Sequence, residues 1–178
     1  MIRLCDFLFS FLGLIIFFPL LILLWILGYL INGSPLFIQK RVGINQKIFY
    51  LIKFRTMKVG TRSVATHLVN NSVITPFGHF LRRTKIDEIP QLWNVLIGNM
   101  SLVGPRPCLI NQKKLICERQ KRGVYYVKPG ITGLAQISGV TMKNTILLAK
   151  IDSKMIKEMN FNNYFYYIFK TLKIIFNK

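Results

Sequence analysis

The sequence predicts an α+β protein in which an apolar N-terminal helix enters a membrane and a small, mostly helical domain with short strands follows it. Two observations indicate this class. Residues 7–31 form an almost unbroken apolar run, and residues 34–178 combine β-branched and aromatic stretches with amphipathic, lysine-rich ones. We therefore divide the chain into residues 1–33, the membrane-inserted segment, and residues 34–178, a membrane-associated domain.

The composition indicates an anionic partner at a membrane surface. The 178-residue chain has 25 Lys and Arg against six Asp and Glu, which gives a formal charge of +19. Such a charge implies nucleic acid, anionic lipid or a phosphorylated substrate. A mean hydropathy of +0.39 is too apolar for an ordinary soluble nucleic-acid binder, so charge and apolar content together favour a membrane surface. The three cysteines lack metal-ligand spacing, which predicts reduced thiols in a cytoplasm-facing protein.

The apolar run at 7–31 is long enough to cross a bilayer. As an α-helix it reaches roughly 37 Å, and the hydrocarbon core is about 30 Å thick. Pro19 lies mid-run, where it removes a backbone donor and clashes with the carbonyl of Ile15, so we expect a bend there. Arg3 and Asp6, just before the run, are costly to move across a membrane. The residues leave two topologies open: a straight spanning helix, and a segment that dips in and returns to the same face.

The β-branched and aromatic residues at 37–42 and 47–54 predict either a short hairpin or two separate extended stretches. The second stretch runs into KFRTM, where Lys53 and Arg55 bring two cations to a strand end. A charged edge that discourages aggregation is the alternative interpretation of that pair. Residues 58–73 lack periodicity and are predicted to form a loop. Thr75 and Pro76 then begin a short amphipathic helix that suits either a membrane interface or a small core.

Asp87 and Glu88 stand side by side in TKIDEIPQLWNV, two of the six acidic residues in the chain. We expect Asp87 or Thr84 to cap a helix with Leu92 and Trp93 in its apolar stripe. The carboxylates then lie at the positive end of a helix dipole, which favours their ionised form. An ionised carboxylate can act as a nucleophile and can hold Mg²⁺. The alternative is that Asp87 only caps and Glu88 only pairs with a neighbouring cation.

Later segments carry further signals. Arg106 stands between two prolines that restrain its backbone, and arginine suits two-point contact with phosphate. The basic stretch 111–122 is expected to be a helix with a solvated face. The turn-rich stretch 128–139 offers backbone amides to a ligand but lacks the spacing of a P-loop or a dinucleotide-binding fingerprint. Residues 161–176 mix seven aromatic residues with lysines, which predicts an interfacial helix over anionic headgroups.

The succession KFRTM, FGHFLRRTKIDEIPQLWNVLIGNMSLVGPRP and KPGITGLAQISG closely resembles the bacterial sugar transferases known as monotopic phosphoglycosyl transferases, in their small form. The resemblance runs from Arg3 to about Gly139. It implies transfer of a phospho-sugar from a UDP-sugar to undecaprenyl phosphate, with UMP as the second product. It also implies Mg²⁺ as cofactor and anionic lipids, not nucleic acid, as partners. The implied location is the cytoplasmic face of the bacterial inner membrane, where assembly of a capsule, lipopolysaccharide or other glycoconjugate starts.

The resemblance also assigns roles to individual residues. By the family pattern, Asp87 is the nucleophile that forms an aspartyl phospho-sugar and lies beside Mg²⁺, and Glu88 is its partner acid. Pro19 matches the proline that breaks a re-entrant helix, which favours a segment that enters and leaves on the cytoplasmic side. The implied substrate-binding residues are Lys53 and Arg55 at the edge of the site, Arg82 and Arg106 on phosphates, and Arg3 near the polyprenyl phosphate.

The chain departs from the family pattern at Phe18, Val73, Val140 and Tyr164, where a serine, an arginine, a basic residue and an aspartate are common. These positions bear on the bend, the sugar pocket and the C-terminal helices, and they leave the acidic pair intact. Two alternatives to an active enzyme follow. One is an inactive relative, and the other is a membrane-anchored basic protein that binds nucleic acid or lipid.

Overall fold

The computed structural model describes residues 1–61 and 73–177 and confirms a mixed, mostly helical fold. The described helices are α1 (Ile2–Asn32), α2 (Pro76–Thr84), α3 (Gln91–Leu96), α4 (Lys113–Lys121), α5 (Leu134–Ile137), α6 (Thr145–Lys157) and α7 (Phe161–Phe176). The described strands are β1 (Leu36–Val42), β2 (Ile48–Phe54), β3 (Ser101–Val103) and β4 (Gly130–Thr132). Most of the predicted loop at 58–73 lies outside the described residues. Its two described ends meet, because the Lys58 N–H donates to the Val73 carbonyl (3.1 Å).

Helix α1 is a single 31-residue helix that continues through Pro19. It is long and apolar enough to cross a membrane, and most of its large side chains face outward. It ends where Gly33 adopts a left-handed conformation (φ 68°) and its N–H donates to the Tyr29 carbonyl. The bend at Pro19 and the re-entrant topology of residues 1–33 stay predictions.

The N-terminal end of α1 is fastened to the following domain by a buried carboxylate. Asp6 is 2% exposed, and its Oδ1 accepts hydrogen bonds from Ser101 Oγ (3.0 Å), the Leu102 N–H (2.9 Å) and Tyr164 Oη (2.9 Å). These donors satisfy a charge that is otherwise costly to bury. Tyr164, one of the departures from the family pattern, thereby joins α7 to α1.

The rest of α1 also packs on the domain. Near its middle, a Cβ added to Gly13 would lie 3.0 Å from Leu92 Cδ1, so α1 and α3 are in close contact there. Near its C-terminal end, Leu24 is buried in an apolar cluster with Phe54 and Leu81. Both ends of α1 therefore contact the same domain.

Strands β1 and β2 form the predicted antiparallel hairpin, with Leu36 opposite Phe54 and Val42 opposite Ile48. The amphipathic helix predicted after Thr75 is confirmed as well. Thr75 caps α2 by accepting a hydrogen bond from the Gly78 N–H (3.0 Å).

Strands β3 and β4 pair in parallel and place the segment after β3 beside the turn-rich stretch. The pairing is so close that a Cβ on Gly130 would lie 2.0 Å from the Gly104 nitrogen. The Gly130 N–H donates to the Pro105 carbonyl (3.0 Å), which fixes the chain just before Arg106. Glycine is needed here for close approach, so the turn-rich stretch is in part a strand rather than the open cradle of amides that the sequence allowed.

Helix α4 is not the simply solvated helix predicted for residues 111–122. Leu115 is fully buried, and Arg119 is 2% exposed. The Arg119 guanidinium donates to Asp152 Oδ2 of α6 from Nε (3.0 Å) and Nη2 (2.7 Å). Its Nη1 donates to the Arg106 carbonyl (2.9 Å), so this buried ion pair also holds the backbone of the proline-flanked arginine.

Helix α7 has the predicted bounds, Phe161–Phe176, and one face of it joins the core. Tyr164 and Tyr167 are buried, whereas Phe169 is 66% exposed. Val140, a second departure from the family pattern, packs against the apolar cluster that includes Leu115. The three cysteines are free, as predicted.

Candidate active site

Asp87 and Glu88 lie in a tight turn between two helices. Helix α2 ends at Thr84, Lys85 adopts a left-handed conformation (φ 61°), and Ile86–Glu88 form a single 3₁₀ turn. The Glu88 N–H donates to the Lys85 carbonyl (3.1 Å). The turn directs the two acids towards the β1–β2 hairpin and the proline-flanked segment rather than along a helix.

The predicted capping role is wrong for this pair. Helix α3 begins only at Gln91 and is preceded by Pro90, and no side chain caps its first N–H groups. Neither Asp87 nor Thr84 serves α3, and α3 has only six residues. The helix-dipole argument for an ionised Asp87 therefore fails, because the effect falls off within the first turn of a helix.

The buried face of α3 also differs from the predicted stripe. Trp93 is 49% exposed, and the buried residues are Gln91, Asn94 and Val95. Asn94 explains the orientation: its Nδ2 donates to the Tyr50 carbonyl (2.8 Å) and its Oδ1 accepts from the Ile52 N–H (3.0 Å). A polar side chain thus attaches α3 to β2, which a pattern of apolar residues does not reveal.

Glu88 and Arg106 form a short ion pair. Arg106 Nη2 donates to Glu88 Oε1 at 2.7 Å, and the two side chains are 40% and 14% exposed. Burial by itself would raise the pKa of Glu88, but the charge and hydrogen bond of Arg106 hold it below its usual value. Glu88 is therefore ionised at neutral pH, and one side of Arg106 remains open to a ligand.

Asp87 is more deeply buried, at 5% exposed. Burial, followed by the neighbouring charge of Glu88, raises the pKa of Asp87 to about 6. Lys53, Lys85 and Arg82 act in the opposite direction and keep it from rising further. The carboxylate is thus ionised at pH 7 and partly desolvated, a combination suited to a nucleophile.

Two predicted substrate-binding residues join the acids. Burial and the charge of Arg41 lower the pKa of Lys53 to about 8, and the Asp87 charge offsets part of that effect. Arg82 Nε donates to Thr56 Oγ1 (2.9 Å), and burial lowers its pKa while Asp87 opposes the change. The site therefore unites Asp87 with Lys53 and Arg82, which the sequence separates by up to 34 residues.

A comparison of the sequence with known proteins identifies the family. The bacterial sugar transferase family matches residues 1–178. The chain belongs to the bacterial sugar transferase family. One relative, an uncharacterized sugar transferase of Haemophilus influenzae, is 35% identical over 99% of this chain and 41% of its own length.

Two further relatives of this sugar transferase carry functional names. An undecaprenyl-phosphate galactose phosphotransferase of Salmonella typhimurium is 34% identical over 99% of this chain and 40% of its own length. A UDP-glucose:undecaprenyl-phosphate glucose-1-phosphate transferase of Xanthomonas campestris is 46% identical over 60% of this chain and 23% of its own length. The chain spans less than half the length of these relatives.

The acidic pair of the sugar transferase fits one way of binding Mg²⁺. Within residues 1–61 and 73–177, no cluster of three or more His, Cys, Asp or Glu side chains is present, so the described residues form no all-protein cage for a metal. Mg²⁺ in phosphoryl-transfer sites commonly uses one or two carboxylates and takes its other ligands from substrate phosphates and water. The Asp87 carboxylate suits that mode.

The two remaining predicted residues lie apart from the acids. Arg3 donates to the Val95 carbonyl (2.6 Å) and the Leu96 carbonyl (2.9 Å), at the end of α3 away from Asp87. Arg55 Nε donates to the Ser34 carbonyl (3.1 Å), which braces the link between α1 and β1. Both arginines have structural partners, and their contact with a substrate stays a prediction.

Arg41 is a site residue that the sequence reasoning missed. It lies on β1 opposite Phe49, and Lys53 lies on β2 opposite Phe37. Because strand side chains alternate in direction, residues 37, 39 and 41 share the hairpin face that carries Lys53. Had the pairing of residues between the two strands also been predicted, it would have placed Arg41 beside the site.

Proposed function

We propose that this sugar transferase moves a sugar 1-phosphate from a UDP-sugar to undecaprenyl phosphate, through a covalent intermediate on Asp87. The observation that carries the proposal is the buried Asp87 carboxylate, whose charge interacts with the cations Lys53, Lys85 and Arg82. The names of the Salmonella and Xanthomonas relatives supply the donor and acceptor classes.

In the first step, an Asp87 carboxylate oxygen attacks the sugar-bearing phosphorus of the donor. The new O–P bond forms as the bond from that phosphorus to the bridging oxygen breaks, and the electron pair leaves with UMP. Lys53 and Arg82 offset the repulsion between the carboxylate and the phosphate. When bound, Mg²⁺ would supply further neutralisation of phosphate charge beside Asp87.

In the second step, a phosphate oxygen of undecaprenyl phosphate attacks the same phosphorus. The Asp87 O–P bond breaks, the carboxylate is regenerated, and an undecaprenyl-diphosphate sugar forms. The covalent intermediate allows the nucleotide to leave before the lipid phosphate arrives, so three phosphates need not crowd together.

Glu88 acts in this scheme as a positioning residue. Its pKa is lowered by Arg106, which makes it a poor proton donor at neutral pH. Its 2.7 Å contact instead orients the Arg106 guanidinium, whose other face is free to contact a phosphate. This favours the orienting role over the proton-transfer role that the sequence also allowed.

The same proposal places the enzyme on the cytoplasmic face of the bacterial inner membrane, with α1 inserted as a re-entrant segment. Supporting this, both ends of α1 contact the domain, through Asp6 at one end and Leu24 at the other. Exposed apolar side chains such as Ile16 (69%) and Leu30 (74%) suit lipid, and the basic excess suits anionic headgroups.

The test is a panel of UDP-sugars assayed for UMP release with undecaprenyl phosphate and Mg²⁺, followed by intact-protein mass spectrometry of a rapidly quenched reaction without lipid. A phospho-sugar adduct is expected on wild-type protein and on Lys114→Ala, whose side chain is exposed on α4, but not on Asp87→Asn. An adduct on another residue, or full turnover by Asp87→Asn, contradicts the proposal. Absence of UMP release with every donor would favour an inactive relative.

A further inference from the structure

A small polar pocket lies next to the Glu88–Arg106 ion pair, on the inward face of the hairpin. It is lined by Arg41, Leu51, Lys53, Gln91, Arg106, Pro107 and Gly130. Three of these side chains are cations. The pocket adjoins the acidic pair, but one of its basic residues, Arg41, has no role in the mechanism described above.

Arg41 is fixed by hydrogen bonds from two of its guanidinium nitrogens, while the third nitrogen donates none to the described residues. Nη1 donates to the Pro107 carbonyl (2.9 Å) and Nη2 donates to Gln39 Oε1. Nε is buried and has no hydrogen-bond partner among the described residues. A buried charged donor without a partner is costly and uncommon in folded proteins, so an acceptor from outside the chain is the simplest completion of this site.

The positive charges around Arg41 also favour the binding of an anion. Burial, followed by the positive charge of the neighbouring Arg106, lowers the pKa of Arg41 to about 10. Glu88 pairs with Arg106, but Arg41 and Lys53 are two further cations in the same pocket. A phosphate group would relieve the repulsion and accept the unused N–H.

The charge interactions of the site run from Asp87 to Arg41. Asp87 interacts with Lys53, Lys85 and Arg82, on the side where the covalent bond forms. Lys53 and Arg106 interact with both carboxylates and with Arg41. Arg41 interacts with Glu88 but has no comparable interaction with Asp87. In an in-line displacement the leaving oxygen lies opposite the attacking carboxylate, so the leaving phosphate belongs on the side away from Asp87.

We propose that Arg41, together with Arg106, forms a subsite for the phosphate monoester opposite Asp87: first the phosphate that leaves with UMP, then the phosphate of the attacking lipid. The inference rests on the proposed function and assigns its second phosphate site. As the donor bond breaks, the electron pair moves onto the departing oxygen and the UMP phosphate gains a negative charge, which the two guanidinium groups stabilise. In the second step the lipid phosphate approaches the same phosphorus along the same line.

The test separates the two half-reactions in Arg41→Ala, with Arg122→Ala as a matched control. Arg122 pairs with Glu118 on α4 and lies outside the pocket. Rapid-quench mass spectrometry follows adduct formation from the UDP-sugar and Mg²⁺. For the second step, the adduct is accumulated, excess donor is removed, and its decay on addition of undecaprenyl phosphate is measured.

We expect Arg41→Ala to slow both half-reactions by about 100-fold, the loss typical of removing one preorganised donor at a developing charge. Its affinity for UMP, measured by calorimetry, should fall by about 10- to 100-fold. Guanidinium ion in the buffer should restore part of both rates, which it would not do for a purely structural defect. Arg122→Ala should match the wild type in every measurement.

Several outcomes contradict the inference without touching the proposed function. They are wild-type rates in both half-reactions, unchanged UMP affinity, or a loss confined to one half-reaction. If Arg41→Ala does not fold, Arg41→Lys decides, because it retains a charge but loses the planar fork. Wild-type rates and UMP affinity in that variant would overturn the role of the guanidinium. Absence of any adduct on wild-type protein would refute the proposed function itself.

Discussion

Burial of Asp87 should make the wild-type protein less stable than an Asp87→Asn variant at neutral pH. Burial, and then the charge of Glu88, raises the pKa of this carboxyl from 3.8 to about 6. At about 1.4 kcal/mol of free energy for each pKa unit, that difference corresponds to about 3 kcal/mol of unfolding free energy. The side chain is 5% exposed, so solvent screening reduces this value little.

The sign follows from proton binding. The folded carboxyl binds a proton more tightly than the unfolded one, so low pH favours the folded state. Well below pH 4 the carboxyl is protonated in both states and the cost is absent; it grows as the pH rises towards 6 and is complete above that. An asparagine does not titrate. The variant should therefore be more stable than the wild type by about 1.5 kcal/mol at pH 5 and about 3 kcal/mol at pH 8.

Thermal unfolding of detergent-solubilised protein at pH 5 and pH 8 measures the effect, since 1 kcal/mol moves Tm by about 2–4 °C for a chain of this size. Glu88→Gln is the control with the opposite sign. The pKa of Glu88 is lowered by its contact with Arg106, so its removal should lower Tm at pH 8. An Asp87→Asn variant less stable than the wild type at pH 8, or a difference equal at both pH values, would refute the reasoning.

Three further predictions concern catalysis and topology. Arg106→Ala and Arg82→Ala should each reduce turnover by at least about 10-fold, because each loses a charge-assisted phosphate contact. Lys114→Ala should leave turnover unchanged. Equal losses for all three variants in a UMP-release assay would mean that the basic residues act only as a diffuse field. The rate of adduct formation should fall about tenfold for each pH unit below about 6, because Asp87 becomes protonated. A rate constant that does not change down to pH 5 would show that the pKa of Asp87 is not about 6. Ile2→Cys in a cysteine-free background should react with an impermeant thiol reagent only after spheroplasts are lysed, because a re-entrant α1 keeps its N-terminus in the cytoplasm. Labelling of intact spheroplasts would indicate a spanning helix.

The elements that the sequence predicts correctly are those with local causes. Alternation of side chains defines the β1–β2 hairpin, Thr75 and Pro76 define the start of α2, and the amphipathic aromatic pattern defines α7 at 161–176. The acidic pair and three cations that the family resemblance named lie together in the structure, and their roles stay predictions. Each of these signals lies within a few residues of the feature it predicts.

The errors concern contacts between distant parts of the chain. The basic pattern of 111–122 predicts a solvated helix, but Asp152, 33 residues beyond Arg119, lies beside it and makes burial of the arginine possible. Asp6 and Tyr164 are 158 residues apart, so their hydrogen bond has no local signature. The expected effect of a helix dipole on Asp87 failed because α3 begins only at Gln91, and Asp87 lies in the preceding 3₁₀ turn.

The charge balance of the site links its stability to its substrate. Among the described residues, five cations surround the two carboxylates: Arg41, Lys53, Arg82, Lys85 and Arg106. Burial, followed by neighbouring positive charge, lowers the pKa of Arg41 and Lys53, and burial raises that of Asp87, so gathering these groups at one site is electrostatically costly. In the proposed function, a diphosphate that enters between Asp87 and Arg41 reduces the repulsion among the cations and supplies an electrophile to Asp87. The proposal therefore implies that the arrangement which destabilises the free protein is also the one that binds and activates a phosphate-bearing substrate.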